Sequence, residues 1–577
     1  MEELAILAPQ SGIKTDAPVI TLAKEFSPRS QNVWVKNGRI ERATMRLKEF
    51  SAILPDEPTG MDYFTLKNLT TYLILMTSKD IAYRDDTNDR FVYITPQYTT
   101  GTASFVNGDA TVTFAGGADT ANMKAGDYIK TGNATASSDD TWYQVLSITD
   151  ATHLELTQNY AEASSGAAVY ILRDTFAGAI TDLWDTTYDD FDDYWMGTNN
   201  GVDFPVYWDG STTTVTTIPN APKASCITYH EGYTILGRIA SFPQREQWSD
   251  YHDFDNWTTG DAGTNDIEGS DGIVGFAKWQ NFIVIFKEKS IILQWNVTTD
   301  LIFNTDTRVR GVGCNARESI IEKDNLVYFW SNDNRFRVFN GLHANQDLSE
   351  PISDIVDVIA PNYEERIVGT YIEELKQLWW AVPSGPASTY NDLVLTYDLE
   401  SKSWGKLDLE VICFGAYITE TNLTWDTLPY ATWEEWAGKW DDRTFTSGAP
   451  IDLIGNRDKY IYRVHASEQD NVVDFTGYFE LMSNALGEGN KRKRLLRYRT
   501  FWQKESGGTI SLQIRTDDKS TLETVESKNL DDQSDRDTQE VEVLCDYSGK
   551  FFSLYASATN AFKFIGIIYE FEIIGDR

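Results

Sequence analysis

Apolar residues along this chain recur in short runs of Val, Ile, Leu, Tyr, Phe and Trp between clusters of Gly, Asn, Asp and Thr, and hardly anywhere keep a helical period over three turns. The pattern predicts β-strands throughout. Representative runs cover 72–76, 82–83, 91–94, 282–286, 291–295, 326–330, 378–382 and 393–397, most of them the length of one strand in a twisted sheet. The most apolar stretch, 276–295, is broken by Lys278, Lys287, Glu288 and Lys289 and reads as two strands and a turn. No segment reaches the roughly 18 uncharged apolar residues of a membrane span, and the first residues lack the basic and apolar regions of a secretory signal. A soluble chain made in the cytoplasm, without a membrane anchor, is expected.

Several of these runs end alike, on an aromatic close to Asp or Asn: Tyr83-Arg84-Asp85, Tyr207-Trp208-Asp209-Gly210, Phe339-Asn340-Gly341 and Tyr397-Asp398-Leu399. After the last of them Trp404 stands where it can close a hairpin by cross-strand packing. Units of roughly 40 to 60 residues repeated in this way suit β-propeller blades, because each four-stranded sheet must bury its faces on its neighbours. From Phe339 to Tyr397 is one unit, from Tyr207 to Phe339 two or three, and about six blades are expected.

Residues 100–173 break the rhythm with small, Thr-, Gly- and Ala-rich sequence and read as an inserted β-module of about six strands. Within it Gly126-Asp127 turns into Tyr128-Ile129, and 145–148 should pair with 154–156. From about 466 the pattern becomes alternating strands, as in a two-sheet sandwich with one wet face. Between them 519–540 is acidic and polar, the composition of a mobile loop or partner-ordered segment. The expected organisation is all-β: 1–99 an N-terminal arm and the first propeller strands, 100–173 the module, 174–465 the propeller, 466–577 the C-terminal sandwich.

Composition narrows the function. Hydrophobic residues make up 41% and aromatics 13% of 577 residues, too many for a disordered acidic chain. With 87 acidic and 50 basic residues the formal charge is −37, so the average surface repels phosphate and tight non-specific nucleic-acid binding is not expected. A conduit that DNA must slide through is not excluded, since a cationic lining would hold the duplex by counterion release and an acidic one would not.

Candidate chemistry is sparse. Cys226, Cys314, Cys413 and Cys545 lie far apart without zinc spacing and should be reduced and buried. The stretch 181–197 carries Asp185, Asp189, Asp190, Asp192 and Asp193, but not the ligand order of a calcium loop. Tryptophans beside carboxylates, at Trp248-Ser249-Asp250, Asp255-Asn256-Trp257, Trp425-Asp426, Trp433-Glu434-Glu435-Trp436 and Trp440-Asp441-Asp442, would suit a glycosidase cleft, yet the repeating Asp-box of sialidase-type propellers is missing. The histidines, His153, His230, His252, His343 and His465, form no close pair, and no phosphate loop or nucleophile elbow is present. No cofactor, metal or enzymatic activity is expected. The strongest basic feature is Lys491, Arg492, Lys493, Arg494, Arg497 and Arg499 on one predicted strand. Either these cations pair with acids of their own sheet, or they form a docking edge for an acidic neighbour.

Three stretches, 237–257 with Trp248-Ser249-Asp250, 266–295 with the Phe286–Ser290 hairpin, and 310–341 ending in Phe339-Asn340-Gly341, resemble tail proteins of short-tailed bacteriophages. The opening 9–45, with Asn32-Val33 and Gly38-Arg39-Ile40 in an extended arm, is similar to the start of such proteins. The resemblance implies a structural tail nozzle or hub in the virion: a propeller-based ring, usually of six copies, below the portal and adaptor proteins, contacting tail fibres and passing DNA without specific binding. It carries over no catalytic residue. The alternative is a carbohydrate-binding or carbohydrate-cleaving receptor-recognition propeller of the tail.

Overall fold

The computed structural model describes residues 2–36, 38–86, 90–95, 97–98, 102–115, 120, 123, 125–131, 143–161, 165–172, 176–212, 214–297, 302–418, 450–503, 508–530 and 538–575. Among the described residues helix is confined to a single α-turn, Ser353–Val356, and three short 3-10 turns. Seven four-stranded antiparallel sheets follow one another in sequence. Blade 1 spans 58–93, blade 2 184–217, blade 3 224–266, blade 4 273–310, blade 5 321–347, blade 6 368–407 and blade 7 413–467. The first strand of each blade lies beside the first strand of the next, and that of blade 7, Cys413–Ile418, lies beside Pro58–Thr65 of blade 1, so the ring is closed.

The outermost strand of blade 7 is Met45–Lys48, which pairs with Ile461–Ser467. One blade is thereby built from both halves of the chain, and the ring cannot open without losing that pairing. Seven blades is one more than the spacing suggested. The aromatic signal marks the end of the third strand in blades 1, 2, 5 and 6, but it takes the altered forms Trp248-Ser249-Asp250 in blade 3 and Trp295-Asn296 in blade 4. The signal has a local cause. Asp209, Asn340 and Asp398 each accept backbone N–H groups two and three residues onward, at 2.7–3.1 Å, which starts the turn into the fourth strand. Tyr397 stands opposite Trp404 with ring centroids 5.0 Å apart, as expected.

Second strands are buried on both faces, as in Gln377–Val382, whereas fourth strands such as Phe303–Arg310 alternate buried with exposed. Blades stack face to face near the axis and splay at the rim, which turns inner strands into unbroken apolar runs. Each of the seven gaps between neighbouring blades holds its own apolar cluster; between blades 4 and 5, for example, Phe286 packs on Phe329 at 4.8 Å. With about 1.5–3 kcal/mol for each large apolar side chain taken from water, these clusters hold the ring together. The run 276–295 spans three strands, Ile273–Trp279, Phe282–Lys287 and Ser290–Asn296, not two. The extra turn at Gln280-Asn281 carries no Gly or Pro, and Gln280 takes the left-handed conformation itself, at φ 55°.

The inserted module is a small closed barrel. Strands Thr102–Phe105, Thr111–Ala115, His153–Leu156, Tyr143–Ile148, Tyr128–Thr131 and Ser165–Leu172 pair in that order, and the last also pairs with the first. Val145 faces Leu156 and Ile148 faces Leu154, the expected pairing, with a bulge between Val145 and Ser147. Phe105, Phe114, Ile129, Tyr143 and Leu154 fill a core of its own.

The C-terminal part is a sandwich of a six- and a five-stranded sheet, but the N-terminal residues belong to it. Glu2–Leu7, Val33–Lys36 and Arg39–Arg42 complete the sheet of Lys563–Gly575, Arg492–Gln503 and Thr538–Gly549, and Arg29–Gln31 joins the other sheet at Gly477–Glu480. Ile6, Val33 and Ile40 share one core with Phe479, Trp502 and Phe564. The expected extended arm is thus a strand and a hairpin, whose partners lie more than 400 residues away in sequence and leave no local trace. Within 519–540, Glu526–Asn529 forms an edge strand on Thr509–Thr516, so that part is ordered rather than a loop. The sandwich is tied to blade 6: the Ile13 amide donates to the Trp404 carbonyl and the Asn32 amide to that of Lys406, at 3.0 and 2.8 Å.

Candidate functional site

The basic strand lies in the six-stranded sheet, flanked by two acidic strands. Arg494 donates to Asp546 at 2.5 and 2.7 Å and reaches Glu572 at 3.4 Å. Arg497 binds Glu542 at 2.9 Å and Glu570 at 2.8 Å, and Arg499 reaches Glu3, Glu540 and Glu570. Glu570 is only 1% exposed beneath these two guanidinium groups, whose charge holds its carboxyl below the usual range. Lys493 is fully buried and donates to the carbonyls of Glu488, Lys491 and Lys550, while Lys491 pairs with Glu488 at 2.8 Å. Arg492 alone of the six is exposed without an ion pair among the described residues. Three arginines face six carboxylates, so this face is net acidic. The geometry corresponds to pairing within the sheet rather than to a free docking edge, because strands 41 to 78 residues away, and Glu3 at 496, bring the acids that the local sequence could not show.

The Asp-rich stretch is divided among structural tasks. Asp185 lies on the first strand of blade 2, Asp189 caps the turn by accepting the Phe191 and Asp192 amides, and Asp193 accepts the Lys67 amide. No group of His, Cys, Asp and Glu among the described residues could hold a metal ion. Trp248 and Trp257 are buried core residues and present no cleft wall; Trp425, Trp433, Trp436 and Trp440 lie outside the described residues. All four cysteines are free, three buried and Cys545 half-buried.

The propeller axis is partly filled, with a cavity of about 310 Å³ beside Arg317. Arg317, in the connection between blades 4 and 5, extends its stem over Gly275, where a Cβ would come within 2.8 Å of it. Its guanidinium donates to the carbonyls of Leu183 and Ser225 and to Glu318. Burial pushes the Asp185 carboxyl upward, with Arg317 opposing, so a charged knot sits where the inner strands of blades 2, 3 and 4 converge. Beyond it the axis retains a cavity of about 100 Å³, lined by Met61, Asp185, Gly369 and Cys413 among others. Sequence reasoning missed Arg317; an Arg in a short connection has no signature until seven strands converge around it.

A second concavity, of about 1040 Å³, opens between blades 2, 3 and 4 at the end where first and second strands are joined. Tyr188, Tyr233, Tyr251, His252, Asp261 and Lys278 are among its lining residues. Tyr251 and His252 come from the connection 249–262, which is built around one carboxylate. Asp250 accepts the amides of Tyr251 and Asp261 and the Asn256 side chain, at 2.7–3.1 Å. The Trp248-Ser249-Asp250 motif is therefore the foot of this loop. Of the other histidines, burial holds the His230 imidazole below its usual range, His153 bonds Asp150, and His465 contacts Thr44 and Trp34.

These features define the class: a seven-bladed β-propeller with a barrel inserted after blade 1 and a sandwich made from both chain ends. No protein-family model matches the chain, and no curated protein matches it. Among solved structures, the WD40 domain of Pan2 from Neurospora crassa aligns over 67% of this chain and 96% of its own at 8% identity and TM-score 0.29. A virginiamycin B lyase from Staphylococcus aureus aligns over 58% and 94% at 11% identity and TM-score 0.26. The endosialidase of phage phi92 aligns over 80% and 68% at 11% identity and TM-score 0.18. At such scores the assignment of the fold rests on the seven sheets themselves.

Proposed function

We propose that the protein is a non-enzymatic structural component of a bacteriophage tail, a nozzle or hub whose copies assemble into a ring around the path of the genome. The observation that carries this reading is where the phage-like stretches fall: 237–257, 266–295 and 310–341 make up about half of blade 3, most of blade 4, the link into blade 5 and the first three strands of blade 5, so the resemblance concerns one architectural block rather than scattered residues. The Arg317 side chain, bonded to the Leu183 and Ser225 carbonyls within the axis, refines it. A duplex whose major groove alone is about 12 Å wide has no passage beside Arg317, so the lumen would lie between copies and not within a propeller. Cyclic closure is how identical chains line such a lumen. With −37 per copy, part of that acidity would face the DNA and limit adhesion. Adaptor or portal-side proteins above and fibres at the side are the partners this position implies, and the virion tail is the location. Among the described residues no helix is long and apolar enough to cross a membrane.

Imaging of intact tails with this chain labelled tests the proposal. A closed ring on the tail axis, of six copies, is expected; one or three copies, or a peripheral position, would sink it.

A further inference from the structure

The end-face cleft has features that the fold does not require. Four rings run in contact across its rim: Phe191 stacks on His252 at 3.7 Å, His252 meets Tyr251 at 3.9 Å, and Tyr251 meets Tyr233 at 5.4 Å. Phe191 and Tyr251 are 50% and 52% exposed, so this ladder presents ring surface to solvent instead of closing a core. It is also held rigidly. The His252 amide donates to the Gly232 carbonyl at 2.8 Å, which fixes His252 at φ 54°. A Cβ on Gly232, itself at φ 90°, would come within 2.6 Å of the Tyr251 ring, so the glycine lets the ladder lie on the turn of blade 3. On the other side Gly260 packs against the Asp250 carboxylate that organises the loop. An exposed aromatic surface with few rotatable bonds costs little entropy when a ligand settles on it.

Around the ladder the cleft carries Asp190, Glu231 and Asp261, with Lys278, Asn296 and two imidazoles. Three carboxylates disfavour an anion, and Lys278 disfavours an organic cation. The density of polar groups disfavours an apolar ligand, which would strip them of water without replacing the hydrogen bonds. A neutral molecule with a flat C–H face and many hydroxyls uses all of them: ring surface for stacking, carboxylates and Asn296 for paired hydroxyls, Lys278 for a ring or glycosidic oxygen. The volume lies just above the roughly 300–1,000 Å³ usual for ligand sites, enough for more than one sugar unit. His230, uncharged near neutral pH because of its burial, suits such a ligand better than an imidazolium would.

We infer that the cleft between blades 2, 3 and 4 binds a neutral oligosaccharide, stacked on the exposed ring of Tyr251, which His252 supports. The inference does not depend on the tail assignment and implies no cleavage.

Saturation-transfer NMR on the full chain tests it, using neutral trisaccharides built from glucose, galactose, mannose and N-acetylhexosamine, each in millimolar excess, with spermidine and a sialylated trisaccharide alongside. Transfer to at least one neutral trisaccharide is expected. Tyr251→Ala and His252→Ala should each weaken it by about tenfold or more, with thermal unfolding unchanged for the half-exposed Tyr251, and Tyr251→Trp should retain it. No transfer to any neutral trisaccharide, transfer that survives Tyr251→Ala, or transfer confined to spermidine or the sialylated compound would overturn the inference.

Discussion

Single residues set limits on this fold that charge counting hides. Glu246, on the third strand of blade 3, is fully buried and takes hydrogen bonds from Asn265 and from Gln294 of blade 4, at 3.0 and 2.9 Å. Burial outweighs these bonds and pushes its carboxyl from 4.5 up to about 7. The folded state therefore keeps a proton that the unfolded chain releases, and stability must fall as the pH rises from about 4.5 to about 7, then level off. Glu246→Gln should remove that slope, so that the variant gains about 1–3 kcal/mol relative to the parent between about pH 5 and about pH 8, read from urea unfolding at each pH. An unchanged slope would place the proton elsewhere. At the axis, Arg317→Met should destabilise by about 2–4 kcal/mol, because it leaves the carbonyls of Leu183 and Ser225 without their donor and removes the positive charge that opposes the burial of Asp185. A loss below about 0.5 kcal/mol would show that water replaces the guanidinium fully.

At the scale of elements, the strand Arg492–Gln503 is the instructive case. Its cations are legible in sequence; their partners are not, since they arrive from Glu2–Leu7, Thr538–Gly549 and Lys563–Gly575. If the ladder serves the sheet, Arg497→Ala should lower the denaturation midpoint, since it strips one of two cations from buried Glu570, whereas Arg492→Ala should leave the midpoint unchanged. Equal effects in chemical denaturation would mean that the lattice contributes nothing. Blade boundaries were readable for a related reason. The Asx turn after each aromatic is a local interaction, so Asp209, Asn340 and Asp398 announce themselves, while the turn at Gln280-Asn281 is imposed by the strands on either side.

For the whole molecule, the barrel and the two ends of the chain behave differently. Ile94 and Phe176, which flank the barrel, share the apolar cluster between blades 1 and 2, so a short Gly/Ser linker in place of 97–173 can join them. That variant should keep the main cooperative transition, with Tm lowered by no more than about 5 °C, in calorimetry. Loss of the transition would show that the propeller needs the barrel. Removing 1–48 should instead abolish cooperative folding, because it takes four strands from the sandwich and the outer strand from blade 7.

What the sequence by itself determined is what depends on neighbours in the chain: strands rather than helices, the aromatic-and-Asx ends of blades, the composition break at the barrel, and the pairing of 145–148 with 154–156. Only the tertiary structure decided the rest. A seventh blade closed by Met45–Lys48, a sandwich begun by Glu2–Leu7 and finished by Lys563–Gly575, an axis occupied in part by Arg317 and a cleft edged by Tyr251 all join residues far apart in sequence. Alternation and turn chemistry act over a few residues, whereas pairing, burial and the meeting of charges are settled only when distant strands choose their partners.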